Sequence, residues 1–194
     1  MEVTDSKHVV AVCGSQRDGS YTHRALQRAL TAAEVRGAET DFVDLSNLDL
    51  PLFDPDRTDA GDADSLRRRI RRADAVLLGT PMYHGSYSSP LKTALDYCGF
   101  DEFEETTVGL LAVSGGGFPT PALEHLRSVA RELDAWVLPT QVAIPDTHSA
   151  FEDGELTDEG LLERIDALGG QLVDYANVES YPDAPSACAV PTAD

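Results

Sequence analysis

The chain has 194 residues, enough to bury one substantial core, and its 42% hydrophobic content is that of an ordinary globular domain. No apolar run approaches the ~20 residues of a membrane span, and the first residues lack the basic start and apolar core of a signal peptide. We therefore expect a cytoplasmic protein without a membrane partner.

The formal net charge is −19 at pH 7, and the acidic residues are spread along the chain. Such a field repels nucleic acid, which excludes it as a partner. The basic residues are arginines except for two lysines, Lys7 and Lys92. A lysine-poor, evenly acidic surface is typical of proteins from salt-accumulating organisms, where ions screen the self-repulsion. We interpret the acidity as a sign of a halophilic source.

Cysteine usage gives no sign of a covalent or metal framework. The three cysteines, Cys13, Cys98 and Cys188, are widely spaced and odd in number. This pattern suits neither a set of disulfides nor a zinc site.

Apolar strands and amphipathic helices alternate along the chain. The expected strands are residues 9–13, 39–45, 73–80, 106–114 and 136–143. Five helices are expected. The first starts near residue 20, and the others cover residues 64–72, 91–97, 120–133 and 158–175. Thr120 and Thr157 are the expected N-caps of the last two. This alternation predicts a parallel sheet covered on both faces. We assign residues 1–180 to one domain and interpret residues 181–194 as a frayed tail.

The loop after the first strand has the composition of an anion site. Backbone N–H groups at a helix N-terminus and the helix dipole favour negative charge. Ser15, Ser20 and Thr22 can add hydroxyl donors, and Arg17 a planar charged group that suits a phosphate. An ordinary turn with a capping hydroxyl is the alternative.

Two common phosphate motifs are absent from this loop. Ser20 stands where a Walker loop requires lysine, and Gln16 stands where the dinucleotide fingerprint requires its second glycine. The loop therefore predicts a site for a single terminal phosphate.

Polar, glycine-containing loops also follow the third and fourth strands, at residues 81–90 and 114–118. In a sheet of order 2-1-3-4-5, the loops after strands 1, 3 and 4 meet at the switch point, where such sheets bind ligands. A ligand with a terminal phosphate and a flat ring would contact all three loops, and flavin mononucleotide (FMN) has that anatomy. Backbone groups of residues 82–86 and 115–118 would pair with the polar edge of the ring.

These loops resemble those of the NADPH-dependent FMN reductase family, which includes quinone, azo-dye and chromate reductases. Residues 14–20, Gly-Ser-Gln-Arg-Asp-Gly-Ser, are similar to its Gly-Ser-x-Arg-x-x-Ser phosphate loop. Residues 81–96 contain Pro-Met-Tyr-His-Gly-Ser and Leu-Lys-Thr-Ala-Leu-Asp, similar to its Pro-x-Tyr-x-x-Ser and Leu-Lys-Asn-Ala-Leu-Asp. With a weaker match at residues 114–118, the resemblance spans residues 9 to about 143.

The resemblance implies a flavodoxin-like α/β three-layer sandwich with a five-stranded parallel sheet of order 2-1-3-4-5. It implies FMN as cofactor and NADPH or NADH as co-substrate. Hydride would pass to the flavin, and a quinone, free flavin, azo compound or metal oxyanion would then take the electrons. No catalytic side chain is expected, because the cofactor performs the hydride transfer. The implied assembly is a homodimer, with a tetramer as the alternative, and the flavin lies near the subunit interface.

The resemblance also assigns residues to the site. The phosphate falls to Ser15, Arg17, Ser20 and Thr22, and Tyr21 is a further cofactor-binding residue. The flavin ring falls to Pro81, Met82, Tyr83, His84, Gly85, Ser86, Ser114, Gly115, Gly116 and Gly117, with Tyr87 and Phe118 on the substrate side. Thr22 replaces the usual asparagine, and Met82 a frequent glutamate, which leaves the ring-edge contacts to the backbone. Whether His84 and Lys92 act in the reaction stays open.

Other readings of the same fold differ in what the site does. A flavodoxin-like electron carrier would bind FMN without turning over nicotinamide, and a scaffold would have lost the flavin. A receiver-type switch would need an acidic cluster after the first strand, where this chain has Cys13 and Gly14. The electron carrier is the alternative we retain.

Overall fold

The computed structural model describes residues 6–152 and 154–176. Five strands form its main sheet: β1 (His8–Cys13), β2 (Glu39–Asp44), β3 (Ala75–Pro81), β4 (Thr107–Val113) and β5 (Trp136–Ile144). All four pairings are parallel, and the order is β2-β1-β3-β4-β5. The predicted flavodoxin-like sheet is therefore confirmed.

Seven α-helices lie within the described residues. They are α1 (Tyr21–Val35), α2 (Ala63–Arg71), α3 (Ser89–Asp96), α4 (Phe100–Phe103), α5 (Thr120–Glu132), α6 (Thr147–Ala150) and α7 (Glu159–Asp174). A 3₁₀ turn (Leu45–Asn47) follows β2, and a small antiparallel hairpin joins β6 (Phe151–Glu152) to β7 (Glu155–Leu156). In this part of the chain no helix is both long and apolar enough to cross a membrane.

The five long helices agree with the sequence prediction, whereas the short elements were not predicted. An element of two to four residues is too short to show a hydrophobic period. The short helix α6, for example, lies outside the expected helices and strands.

Each face of the sheet carries its own core. Along β1, Val9 and Ala11 pack with α1 and α7, whereas Val10 and Val12 pack with α2, α3 and α5. All four side chains are buried. The continuous apolar run of this strand thus results from burial on both faces.

Both predicted N-caps are wrong by one residue. Thr120 is the first helical residue of α5, because Pro119 is the cap and its carbonyl oxygen accepts a hydrogen bond from Leu123 N at 3.3 Å. Asp158 caps α7, where its carboxylate accepts from Leu161 N at 3.0 Å. Thr157 instead donates its N–H to the carbonyl oxygen of Ala150 and lies beside the hairpin. The expected tail at residues 181–194 lies outside the described residues.

The arginine-rich helix α2 carries ion pairs to neighbouring elements. Arg69 binds both carboxylate oxygens of Asp41, at 2.6 and 2.7 Å. Arg71 pairs with the buried carboxylate of Glu102. These pairs fasten α2 to β2 and α4.

Candidate active site

Three loops meet at the carboxyl end of the sheet. We call residues 14–20 loop 1, residues 82–88 loop 3 and residues 114–119 loop 4, after the strands that they follow. Gly14 N donates to the carbonyl oxygen of Gly79 in β3 at 2.8 Å, and Met82 N donates to that of Val113 in β4 at 2.7 Å. Because β1, β3 and β4 are parallel neighbours, the three polar loops lie side by side, as predicted.

Loop 1 is built as the entry to a helix. Ser20 caps α1, and its hydroxyl accepts from His23 N at 3.3 Å. The Ser15 hydroxyl accepts from Arg17 N at 3.3 Å. Gly19 has a φ of 67°, which a glycine adopts without a steric penalty. The chain therefore turns tightly into α1, and the helix N-terminus faces the crevice.

A cavity of about 460 Å³ lies against loop 1. Ser15, Arg17, Gly19 and Ser20 line it, and its lining also contains the carboxylates of Asp18, Asp44 and Glu155. The part of this lining that suits an anion is loop 1, with its hydroxyls, the guanidinium of Arg17 and the N-terminus of α1.

Tyr21 and Thr22, the first two residues of α1, have different surroundings from the residues of loop 1. Thr22 is 2% exposed. The Tyr21 ring packs on the Phe151 ring, with 4.2 Å between centroids. The Tyr21 side chain thus joins α1 to the β6–β7 hairpin. The backbone N–H of Tyr21 lies at the N-terminus of α1.

Loop 3 contains a tight hairpin turn. Tyr83 N donates to Ser86 O at 3.0 Å, and Ser86 N donates to Tyr83 O at 3.1 Å. His84 and Gly85 between them have φ of 50° and 78°. Two left-handed central residues characterise a type I′ turn, which favours Asn or Gly at both positions. His84 therefore has a left-handed backbone conformation, which residues with a side chain rarely adopt.

The space between loop 1 and loop 3 is a second cavity, of about 350 Å³. Gly14, Gln16 and Arg17 line it from loop 1, and Tyr83 and Ser88 from loop 3. Arg17 borders this cavity and the one beside Ser20. A ligand bound along loop 1 can therefore extend to loop 3.

The residue that joins these two loops, Ser88, was not among the predicted site residues. Ser88 donates its hydroxyl to the carbonyl oxygen of Gly14 at 2.6 Å, and its N–H to Thr80 Oγ1 at 2.9 Å. A Cβ on Gly14 would lie 2.8 Å from both Ser88 Oγ and Leu91 Cβ. Only a glycine permits this close approach. The signal in the sequence was a serine at the N-cap position of a helix with proline in its first turn.

Loop 4 presents exposed backbone. A Cβ added to Gly115, Gly116 or Gly117 would meet nothing within 4 Å, so all three glycines border open space. Gly116 N donates to the Ser114 hydroxyl at 3.2 Å. A flat ring can therefore approach the chain closely at this loop.

The segment after β5 supports loop 4 from behind. Asp146 N donates to Gly116 O at 2.7 Å, and Thr147 N donates to Ser114 O at 3.2 Å. Neither residue was expected near the site, since both follow a different strand.

Two weakly acidic side chains near the crevice, Cys13 and Tyr87, have raised pKa values. Burial raises the pKa of the Cys13 thiol to about 11, and it raises the pKa of the Tyr87 phenol above its ordinary value. Both groups are therefore protonated at neutral pH. Lys92 is paired with Asp96 on α3. These side chains therefore add no free charge to the crevice.

Its features fit FMN. The N-terminus of α1 and the buried hydroxyls of Ser15 and Ser20 suit the phosphate, and the open glycines of loop 4 suit the ring. Phe118 is 68% exposed and Tyr83 57% exposed, so flat side chains border the accessible side. The assignment of each residue to a part of FMN stays a prediction.

The chain matches known proteins over most of its length. The model of the NADPH-dependent FMN reductase family matches residues 8–149. An FMN-dependent NADPH-azoreductase of Staphylococcus haemolyticus (strain JCSC1435) is 32% identical over 182 residues, which cover 88% of this chain and 95% of that protein. An FMN-dependent NADPH-azoreductase of Staphylococcus aureus (strain USA300) is 35% identical over 180 residues, with the same coverage.

A solved structure agrees with the fold. The flavoenzyme NAD(P)H:(acceptor) oxidoreductase FerB from Paracoccus denitrificans has a TM-score of 0.73 at 24% identity, over 88% of this chain and 97% of that one. The family match confirms the predicted oxidoreductase class and the predicted use of FMN and NADPH. This chain belongs to the NADPH-dependent FMN reductase family.

Proposed function

We propose that the protein reduces small-molecule electron acceptors with electrons from NADPH or NADH, in two steps that share one flavin site. The observation that carries the proposal is the meeting of loops 1, 3 and 4 in one crevice. The hydroxyls of loop 1, Arg17 and the N-terminus of α1 suit a phosphate, and the open glycines of loop 4 leave room for a ring.

Each loop has a separate task in this proposal. Ser15, Arg17, Ser20 and Thr22 hold the phosphate, together with the N-terminus of α1. The backbone of residues 81–86 and 114–117 holds the polar edge of the ring. When bound, FMN supplies the ability to accept a hydride and to pass electrons on.

The accessible side of the crevice serves both substrates in turn. We assign Tyr87 and Phe118 to this side. Tyr87 is partly buried against the core, whereas the exposed Phe118 ring offers a flat apolar surface. Aromatic acceptors stack on such surfaces. Because one face receives both the nicotinamide and the acceptor, the first must leave before the second binds.

An azo compound is the acceptor that we favour. The two staphylococcal relatives are named as azoreductases, and their names specify NADPH. Quinones, free flavin and metal oxyanions are further acceptors to compare. We also propose a homodimer with the flavin near the subunit interface, which gel filtration with light scattering would test.

The retained alternative is an electron carrier. The net charge of −19 favours it, because an acidic surface suits docking to a basic protein partner. A carrier would bind FMN and leave NADPH unoxidised.

One anaerobic experiment separates the two functions. The protein is loaded with FMN, freed of excess and mixed first with NADPH and then with an azo dye or a quinone. Bleaching of the flavin spectrum by NADPH and its recovery with the acceptor support the reductase. A retained flavin that NADPH does not bleach supports the carrier, and a protein that retains no flavin on titration refutes both.

A further inference from the structure

The turn in loop 3 is held from outside the loop. Both of its central residues are left-handed, a backbone conformation that is uncommon for any residue with a side chain, such as His84. Such a conformation persists where the surroundings impose it. The two hydrogen bonds between Tyr83 and Ser86 close the turn, but they do not fix its position against the rest of the protein.

A contact to α5 fixes that position. Ser86 Oγ and His125 Nδ1 are joined by a hydrogen bond of 3.0 Å. His125 is in the second turn of α5, and this helix begins directly after loop 4. The contact thus connects the loop 3 turn to the helix that extends from loop 4.

The helix beneath His125 is firmly placed. Its neighbours Leu123 and Leu126 are 1% and 0% exposed, and both belong to the core between α5 and the sheet. His125 itself points to the surface side of α5, where Ser86 meets it. A buried helix face therefore fixes the backbone from which the exposed imidazole reaches Ser86.

We propose that His125 is a positioning residue of the flavin site, which orders the loop 3 turn through Ser86 and sets its distance from loop 4. The inference rests on the proposed function for its effect on FMN, and its effect on the turn is independent of FMN. A hydroxyl can donate or accept, so the bond forms with either tautomer of the imidazole.

Five variants test this role. His125→Ala and Ser86→Ala each remove one partner, and the double variant removes both. His125→Asn should retain the hydrogen bond to Ser86, because the asparagine amide places a polar atom near the position of Nδ1. Ser128→Ala is the control, since Ser128 is exposed on the same helix.

Amide hydrogen exchange of the FMN-free protein measures directly how stable the loop 3 turn is. The amides of Tyr83 and Ser86 should exchange faster in His125→Ala than in wild type and the control, and His125→Asn should restore the wild-type rate. Equal exchange in His125→Ala and wild type would overturn the proposal. So would an asparagine variant that exchanges as fast as the alanine variant, because the hydrogen bond would then not hold the turn.

FMN titration measures how the variants change the affinity of the site for FMN. Each single alanine variant should raise the Kd for FMN by about two- to tenfold, the range expected for one hydrogen bond. The double variant should be no weaker than the weaker single one, because both remove the same contact. Effects that multiply in the double variant would overturn the proposal. If wild-type protein binds no FMN, the proposed function fails, and the exchange rates alone decide whether His125 holds the turn.

Discussion

The hydroxyl of Ser88 donates a hydrogen bond of 2.6 Å to the carbonyl oxygen of Gly14, and the bond is buried. It joins the end of β1 to the residue that precedes α3. The Ser88 N–H is used as well, by Thr80 Oγ1 at 2.9 Å. Loop 1 and loop 3 therefore share one polar anchor and cannot shift independently.

Ser88→Ala should lower the free energy of unfolding by about 1–3 kcal/mol, because the carbonyl oxygen of Gly14 loses its partner in a buried place. Urea denaturation of the FMN-free protein measures the change. Ser89→Ala is the matched control, since Ser89 is the next residue and is exposed. Equal stability of the two variants would mean that the Ser88 bond contributes nothing to the fold.

Arg17→Ala should weaken FMN binding by about 1.5–3 kcal/mol, the scale of a hydrogen bond to a charged group. Arg17 lines both cavities beside loop 1, so its guanidinium can reach a phosphate in either. Fluorescence titration of FMN-free protein gives the Kd. Arg36→Ala is the control, because it removes the same charge at the other end of α1, where Arg36 pairs with Asp174. An unchanged Kd in Arg17→Ala would remove Arg17 from the phosphate site.

The sheet and the position of the site could be predicted because their signals are local. The run from Val9 to Val12 is apolar at each position, and burial on both faces requires that composition. The glycines and hydroxyls of loop 1 follow this strand directly. Strand order then brings the three loops together without any further information.

The contacts within the site could not be predicted, because they join residues far apart in sequence. Ser88 and Gly14 are separated by 74 positions, and Ser86 and His125 by 39. No periodic pattern encodes such a pair. The helix starts were missed for a different reason: adjacent hydroxyl, carboxylate and proline residues all suit an N-cap, and the neighbouring hairpin decided between Thr157 and Asp158.

Gly169→Ala should destabilise the protein by about 1–3 kcal/mol through overpacking. A Cβ at this position would lie 2.1 Å from the carbonyl oxygen of Ala29, so α7 would have to move away from α1. Thermal and urea unfolding measure the loss. Gly160→Ala in the first turn of α7 is the control, because Gly160 is exposed and alanine favours a helix. A Gly169→Ala variant as stable as this control would show that the two helices tolerate the extra methyl group.

Asp41→Asn should cost stability at neutral pH and little in acid. The Arg69 guanidinium, which binds both carboxylate oxygens, holds the pKa of Asp41 below its usual range. A carboxyl group with a lowered folded pKa stabilises the fold above its unfolded pKa of about 3.9, and this stabilisation is lost as the pH falls through the folded pKa. Because the pair is partly exposed, the expected loss at neutral pH is about 0.5–1 kcal/mol.

Urea unfolding of wild type and Asp41→Asn between neutral pH and about pH 3 tests this dependence. Asp56→Asn corrects for the general effect of removing one negative charge from an acidic protein, because Asp56 is exposed and forms no ion pair among the described residues. The difference between the two variants should be constant at neutral pH and shrink below about pH 4, where Asp41 of the unfolded chain begins to bind a proton while the folded carboxylate stays ionised. A difference that stays constant into acid would mean that Asp41 stabilises β2 without its charge, through hydrogen bonds that asparagine cannot reproduce.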